Sequence, residues 1–227
     1  MPATVRPALR AEAPLVADLL RRAGFGSTVG RLLDYPFEGE AAKVFVAEDH
    51  GALVGTASVA SFGSTGWIGA LGVEPASRRR GLGRALTEAS VDWLRERGAR
   101  TVLLYATEQG RPVYERLGFV GEGTATAWRG VAIDDGLGVM GFAVASAWGS
   151  GAAIIGRDED VGLALMSAAA AGPEPATLIV PDTNAVAAEA VRRWGFARYN
   201  TAERMRLGPD PGYIPQRVFG MFNLFWG

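Results

Sequence analysis

Two spacings of apolar residues take turns along the first half of the chain. Residues 4–6 read as a short strand ahead of Pro7, and residues 11–23 place Leu15, Leu19 and Leu20 on one helical face with charges between them. A turn at Gly24-Phe25-Gly26-Ser27 leads into a short helix expected over 28–33. The runs KVFVAE (43–48) and ALVGTASVA (52–60) flank Asp49-His50-Gly51, which is the pattern of a hairpin. WIGALGV (67–73) predicts a strand, and 82–97 predicts a helix carried by Ala85, Leu86, Ala89, Trp93 and Leu94. TVLLYA (101–106) is a buried-type strand, Pro112 opens a short helix to Leu117, and a last strand follows Gly118-Phe119. Strands interleaved with helices indicate α/β topology, here an α+β arrangement around a mixed sheet.

The second half repeats the end of the first. TVLLYAT (101–107) aligns with TLIVPDT (177–183), Arg116-Leu117-Gly118-Phe119 with Arg193-Trp194-Gly195-Phe196, and Leu82–Leu86 with Val161–Leu165. Three matches in one order point to two copies of one unit. The boundary falls near 126–136, giving domains 1–128 and 129–227. Residues 136–156 carry no charge and are long enough to cross a bilayer. They are rich in glycine and flanked by acids, so they read as two strands, VMGFAVA and GAAII, joined by the turn WGSG.

Composition changes this picture in three places. Lys and Arg total 23 against 24 for Asp and Glu, a net charge of -1, which argues against nucleic-acid or membrane binding by bulk charge. Cysteine is absent and His50 is the single histidine, so thiolate nucleophiles, disulfides and paired-imidazole metal sites are excluded, and no metal is implied. The start of the chain has charges at Arg6, Arg10, Glu12 and Asp18 where a signal-peptide core would be apolar. The expectation is a cytoplasmic protein.

The local chemistry gathers at Arg78-Arg79-Arg80-Gly81-Leu82-Gly83-Arg84, between a predicted strand and a predicted helix. Glycines there let the backbone turn and approach a ligand closely, and a helix start offers unpaired N–H groups that suit pyrophosphate. Arg78, Arg79, Arg80 and Arg84 add cationic field. It is not a Walker loop, since no Gly-Lys-Ser/Thr follows, nor a dinucleotide fingerprint, since Leu86 stands where the third glycine would be. A glycine-bearing helix start with solvated arginines is the plainer alternative.

VEPASRRRGLGRAL resembles motif A of the GNAT superfamily of N-acetyltransferases, Arg/Gln-x-x-Gly-x-Gly/Ala, with Arg78, Gly81 and Gly83 filling the pattern. TVLLYATEQGRPVYERLGF resembles that family's next strand and its Tyr-x-x-x-Gly-Phe motif, at the expected distance. The resemblance covers about 4–128. It implies a GNAT fold followed by a second, degenerate GNAT-like domain, with acetyl-CoA as cosubstrate. It places Arg78, Arg79, Arg80, Gly81, Leu82, Gly83 and Arg84 at the pyrophosphate, and Leu71, Gly72, Val73 and Thr107 along the rest of the cosubstrate. A splay between the strands at 67–73 and 101–107 would admit the pantetheine arm. Tyr114 takes the place of the proton donor to the leaving thiolate, with a packed core tyrosine as the alternative.

No general base follows from the residues. WIGALGV holds no carboxylate, Glu108 and Asp34 are candidates, and His50 sits in a hairpin turn where an exposed residue is expected. In the repeat, Glu159-Asp160-Val161-Gly162-Leu163 replaces Arg80-Gly81-Leu82-Gly83-Arg84, and Val191 replaces Tyr114. Acids in place of arginines repel an anion. The expected function is direct transfer of an acetyl group to the amine of a small molecule, with Phe25, Tyr35, Thr107 and Trp128 on acceptor-side loops. The alternative is a non-catalytic acyl-CoA sensor. The C-terminal aromatics Tyr213, Phe219, Phe222, Phe225 and Trp226 suit core packing, an acceptor wall or a homodimer contact.

Overall fold

The computed structural model describes residues 3–26, 29–30, 33–130, 141–145, 151–171, 176–221 and 223–224. Its elements are β1 (Thr4–Pro7), α1 (Ala13–Ala23), α2 (Asp34–Glu38), β2 (Ala42–Asp49), β3 (Ala52–Phe62), β4 (Thr65–Val73), α3 (Leu82–Glu96), β5 (Thr101–Ala106), α4 (Arg111–Glu115) and β6 (Val120–Gly130). There follow β7 (Gly141–Ala145), β8 (Ala152–Gly156), α5 (Glu159–Ala170), β9 (Ala176–Pro181), α6 (Ala185–Arg193), β10 (Ala197–Leu207) and β11 (Val218–Gly220). They form two compact units. Unit 1 holds Met1–Leu104, Gly110–Val120 and Arg206–Pro211, and unit 2 holds Tyr105–Gln109, Gly121–Met205 and Gly212–Gly227. The units interleave in sequence, and the expected boundary at 128/129 falls inside β6.

In unit 1 the sheet runs β1-β2-β3-β4-β5, antiparallel except for the parallel β4–β5 pair. The β2–β3 hairpin turns through His50 and Gly51, both at positive φ (49° and 80°). His50 is accordingly exposed, 78% at its side chain. β4 carries a bulge: Thr56 pairs with Gly72 and Ser58 with Gly69, so Ala57 faces both Ala70 and Leu71. Ala70 sits at φ 46°.

The bulge inverts the alternation of β4. A Cβ on Gly66 would meet Leu94 of α3, whereas a Cβ on Gly72 would meet Leu20, Ala23 and Phe25 at the α1 side. Without the bulge both even positions would share a face. Helices α1 and α3 therefore cover opposite faces of the sheet. Leu82, Leu86, Val91, Trp93 and Leu94 of α3 are buried, as are Val16, Leu19 and Leu20 of α1. Leu15, expected on the apolar face of α1, is 56% exposed, and Val16 takes that place because the 16–19–20 spacing follows the helical stripe. The short helix expected over 28–33 falls partly outside the described residues, while α2, which the hydrophobic pattern did not indicate, occupies 34–38.

Unit 2 contains the run β10-β6-β9 and a second sheet, β11-β8-β7. The two strands expected in the uncharged stretch are β7 and β8, paired from Gly141↔Gly156 to Ala145↔Ala152. The turn between them and the start of the first expected strand lie largely outside the described residues. Among the described residues no helix is long and apolar enough to cross a membrane. The core gathers Ile154, Leu165, Met166, Leu178, Val180, Val191, Phe196 and Phe219. Asn184 caps α6 at Ala187 N–H and donates to the carbonyls of Gln216 and Val218, which ties the C-terminal segment to the helix start. Phe219 is fully buried, while Phe222, Phe225 and Trp226 lie outside the described residues.

Element order in the two halves of the chain is similar: β3-β4-α3-β5-α4-β6 is followed by β7-β8-α5-β9-α6-β10. The Gly-Phe turns agree bond for bond. Phe119 N–H donates to Tyr114 O and Gly118 N–H to Glu115 O, and Phe196 N–H donates to Val191 O and Gly195 N–H to Arg192 O. Both glycines are left-handed, at φ 86° and 77°.

The glycines at the two helix starts differ in what they permit. A Cβ on Gly83 meets nothing within 4 Å, whereas one on Gly162 would lie 2.3 Å from the Phe219 ring. Gly83→Ala is expected to leave stability unchanged or raise it by about 0.5–1 kcal/mol. Gly162→Ala should lower it by about 1–3 kcal/mol through overpacking. Urea denaturation of the two variants beside the parent checks both signs.

Candidate functional site

The loop from Glu74 to Gly81 joins the end of β4 to α3 and is pinned at several points. Glu74 N–H donates to Val54 O (2.9 Å), and its carboxylate accepts from Arg22 Nε (2.8 Å). A 3-10 turn over Pro75–Ser77 follows. Arg78 turns inward: its Nε donates to Val73 O (3.1 Å) and its Nη2 to Ala23 O (3.1 Å), the last carbonyl end of α1. Its guanidinium thus braces strand to helix.

Beyond Arg78 the backbone is unusual. Arg79 and Gly81 both lie in the left-handed region, at φ 62° and 79°. Gly81 is the N-cap of α3, and no side chain caps that helix. The first N–H groups of the helix therefore lack side-chain acceptors, at the positive end of its dipole. Neither Gly81 nor Gly83 would bring a Cβ within 4 Å of another atom, so the start of α3 leaves open space beside its backbone donors. Those features fit a phosphate-bearing ligand. Leu82 contributes differently, by burying its side chain under the helix.

The arginines of the run divide their roles. Arg80 Nη1 donates to Asp49 Oδ2 at 2.8 Å, which holds the Asp49 carboxyl below the usual range. Arg84 pairs with Glu88 one turn on (2.9 Å). Arg79 is exposed and in no ion pair among the described residues. The sequence reading placed all four arginines at the pyrophosphate, whereas among them only Arg79 presents an uncommitted charge.

Strand β4 supplies the other edge. Its parallel ladder with β5 runs from Thr65↔Thr101 to Ile68↔Leu104 and stops there, while β4 continues through the bulge to Val73. Leu71, Gly72 and Val73 lie on that continuing stretch. Gly72 is also required by packing, since a Cβ there would approach Leu20 at 3.0 Å. Tyr114 lies on α4, which packs on α3. Its ring is 6% exposed and meets Phe119 edge-on at 5.8 Å. Burial pushes its hydroxyl above the usual phenol range, so it is a proton donor throughout the neutral range. No hydrogen-bond partner for that hydroxyl occurs among the described residues.

Thr107, expected at the cosubstrate, belongs to unit 2, unlike the loop residues and Tyr114. Phe25 contacts the Gly72 position in unit 1. Asp34 lines a cleft of ≈ 260 Å³ with Arg10, Ala17, Leu33 and Phe37. The Trp128 side chain lies outside the described ones. The bulge at Ala70 and Leu71 was not legible in the sequence. Its one trace is the pair of glycines at 69 and 72 in an otherwise apolar strand.

Residues 15–119 match the model of the Acetyltransferase (GNAT) family. The matched segment is a little under half of the chain and is similar to that family. The GNAT match ends at Phe119, so it includes the loop, α3 and Tyr114 and leaves out the second half. A mycothiol acetyltransferase of Rhodococcus erythropolis is 47% identical over 57 residues, 24% of this chain and 19% of that protein. One from Beutenbergia cavernae is 48% identical over 59 residues, 25% of this chain and 20% of that protein. The chain thus matches about a fifth of the length of these relatives. A crystal structure of a provisionally assigned acetyltransferase from Pyrococcus horikoshii superposes with a TM-score of 0.85 at 16% identity, covering 100% of this chain and 96% of that one. That likeness is one of fold.

Arg78 and Arg79 separate scaffold from surface. Arg78→Ala is expected to cost about 1–3 kcal/mol, because two backbone carbonyls lose a charged donor. Arg79→Ala should stay within about 0.5 kcal/mol, as for an exposed side chain. Thermal or denaturant unfolding of each variant checks the contrast.

Proposed function

We propose that unit 1 binds acetyl-CoA at the start of α3 and passes its acetyl group directly to an amine of a small molecule. The observation that carries this reading is the uncapped, open start of α3, together with a buried Tyr114 on the short helix α4 that packs against α3. The pyrophosphate accepts from the backbone N–H groups around 81–84, with Arg79 as its cation. Arg78, Arg80 and Leu82 hold the loop in shape. The thioester lies along Leu71, Gly72 and Val73, where β4 runs on without β5. Thr107, expected at the cosubstrate from its motif position, belongs to unit 2 and is given no place in this site.

The amine nitrogen attacks the thioester carbonyl carbon and forms a C–N bond. The C–S bond then breaks, the sulfur takes the bond's electron pair, and Tyr114 donates its hydroxyl proton to the thiolate. The nitrogen releases one proton to solvent, and Tyr114 is reprotonated from solvent. The products are an N-acetyl amide and free CoA. Because burial raises the Tyr114 pKa, its donor form persists past pH 10, and an alkaline fall in rate below that pH belongs to another group.

The second half is read as a degenerate copy that does no transfer. Its support is the repeated element order, the shared Gly-Phe turn, Val191 in place of Tyr114, and Asp158, whose carboxylate caps Val161 N–H (3.0 Å) at the start of α5. Partial matches to mycothiol acetyltransferases favour a small-molecule acceptor. A sensor that binds acyl-CoA without transfer is the second reading, favoured by a β4 that bears no carboxylate. The free Tyr114 hydroxyl favours the enzyme.

Tyr114→Phe should slow kcat by about 10²–10⁴-fold while leaving acetyl-CoA affinity unchanged. Steady-state release of free thiol with an amine library, and calorimetry with acetyl-CoA, measure the two. A parent protein that binds acetyl-CoA and turns over no amine selects the sensor. Arg79→Ala should weaken acetyl-CoA roughly 10–150-fold, the worth of a charged hydrogen bond to phosphate, and Arg84→Ala by less than that. Equal losses at 79 and 84 would remove Arg79 from its assigned place.

A further inference from the structure

Unit 2 repeats the strand-helix order of unit 1 without its open edge. In unit 1, β4 and β5 pair directly, and β4 then runs on paired with β3 but not with β5. The strands in the corresponding places of unit 2, β8 and β9, share no rung among the described residues. Strand β11 lies against both. It runs antiparallel to β8, with Val218 opposite Ile155 and Gly220 opposite Ile154, and Met221 N–H donates to Ile179 O of β9 at 3.0 Å.

The helix start is filled in the same way. Phe219 is 0% exposed, and its ring lies where a Cβ on Gly162 would be, 2.3 Å away. Gly162 stands in the repeat where Gly83 stands in the first half, and there the same construction meets nothing within 4 Å. The N–H of Val161 is taken by Asp158. The gap between strands, the space over the second glycine and the free helix donor are thus each occupied by a group of this chain.

We propose that residues 218–221 are the resident occupant of the slot in unit 2, a pseudo-ligand built into the chain, so that each chain takes up one acyl-CoA, at the α3 loop alone. This rests on the reading of the two halves as copies. A tethered segment competes at an effective concentration in the millimolar range for short linkers, far above that of a free micromolar ligand. The backbone rungs of β11 satisfy edges of β8 and β9 that a ligand arm would leave partly unpaired. The slot is therefore closed by a covalent, apolar and hydrogen-bonded strand.

The test places a specific protease site across the exposed loop 209–212 of the full chain and cleaves it after folding. The fragment that begins beyond the cut should co-elute with the body in gel filtration, and the intact chain should titrate with one equivalent of CoA by calorimetry. Phe219→Ala should lower the thermal midpoint by roughly 6–20 °C, yet leave the Kd for CoA within about twofold. A fragment that leaves while the body keeps its midpoint, a second equivalent of CoA on the intact chain, or an unshifted midpoint in Phe219→Ala overturns the proposal. An intact chain that binds no CoA overturns the acetyltransferase reading instead, and cleavage still decides what fills the slot.

Discussion

The unpaired N–H groups at the first turn of α3 are the constraint around which unit 1 is arranged. A helix start without a capping side chain leaves polar donors to be met by solvent or by a ligand. Everything just upstream keeps that start uncapped and reachable. Arg79 and Gly81 take left-handed conformations that turn the chain into the helix without a capping side chain, and Gly83 leaves the space above open. Arg78 cannot serve as a ligand while it braces Val73 and Ala23, but the bracing fixes the loop from which the helix departs. Preorganised backbone donors of this kind need no side-chain ordering on binding.

The bulge in β4 does the corresponding work on the strand. By adding a residue opposite Ala57 it swings Gly72 toward α1 and Leu71 and Val73 toward the other face, immediately where the ladder with β5 has ended. A regular strand would have kept its pairing and its alternation, and would have offered no free edge beside the loop. Ala70 holds a conformation uncommon for a residue with a Cβ, a local cost that the surrounding packing must offset.

Much of this was legible in the residues because local chemistry and fold agree. The hairpin at Asp49-His50-Gly51, the helix begun at Leu82 and the strand 101–106 each carry a strong local signal, and they form where that signal places them. The arginine run read in the sequence as four cations placed at the ligand. Their partners, Asp49, Glu88 and the carbonyls of Val73 and Ala23, are tertiary or helical neighbours that spacing alone does not reveal. Helix α2 carries Pro36 and little apolar periodicity, so nothing local announced it. Gly162 looked like the counterpart of Gly83, but the ring of Phe219, distant in sequence, gives it a packing role. The bulge was hidden for a related reason: register is a property of two strands, and one strand's sequence shows only half of it.

Hydrogen–deuterium exchange on the full chain, with and without saturating acetyl-CoA, tests the central claim most directly. Amides at 79–84 should gain protection together with those at 71–73, and amides at 158–163 should not change. Protection centred on 158–163, or none at 79–84 under conditions where acetyl-CoA is bound, would contradict the assignment of the ligand to the open helix start of unit 1.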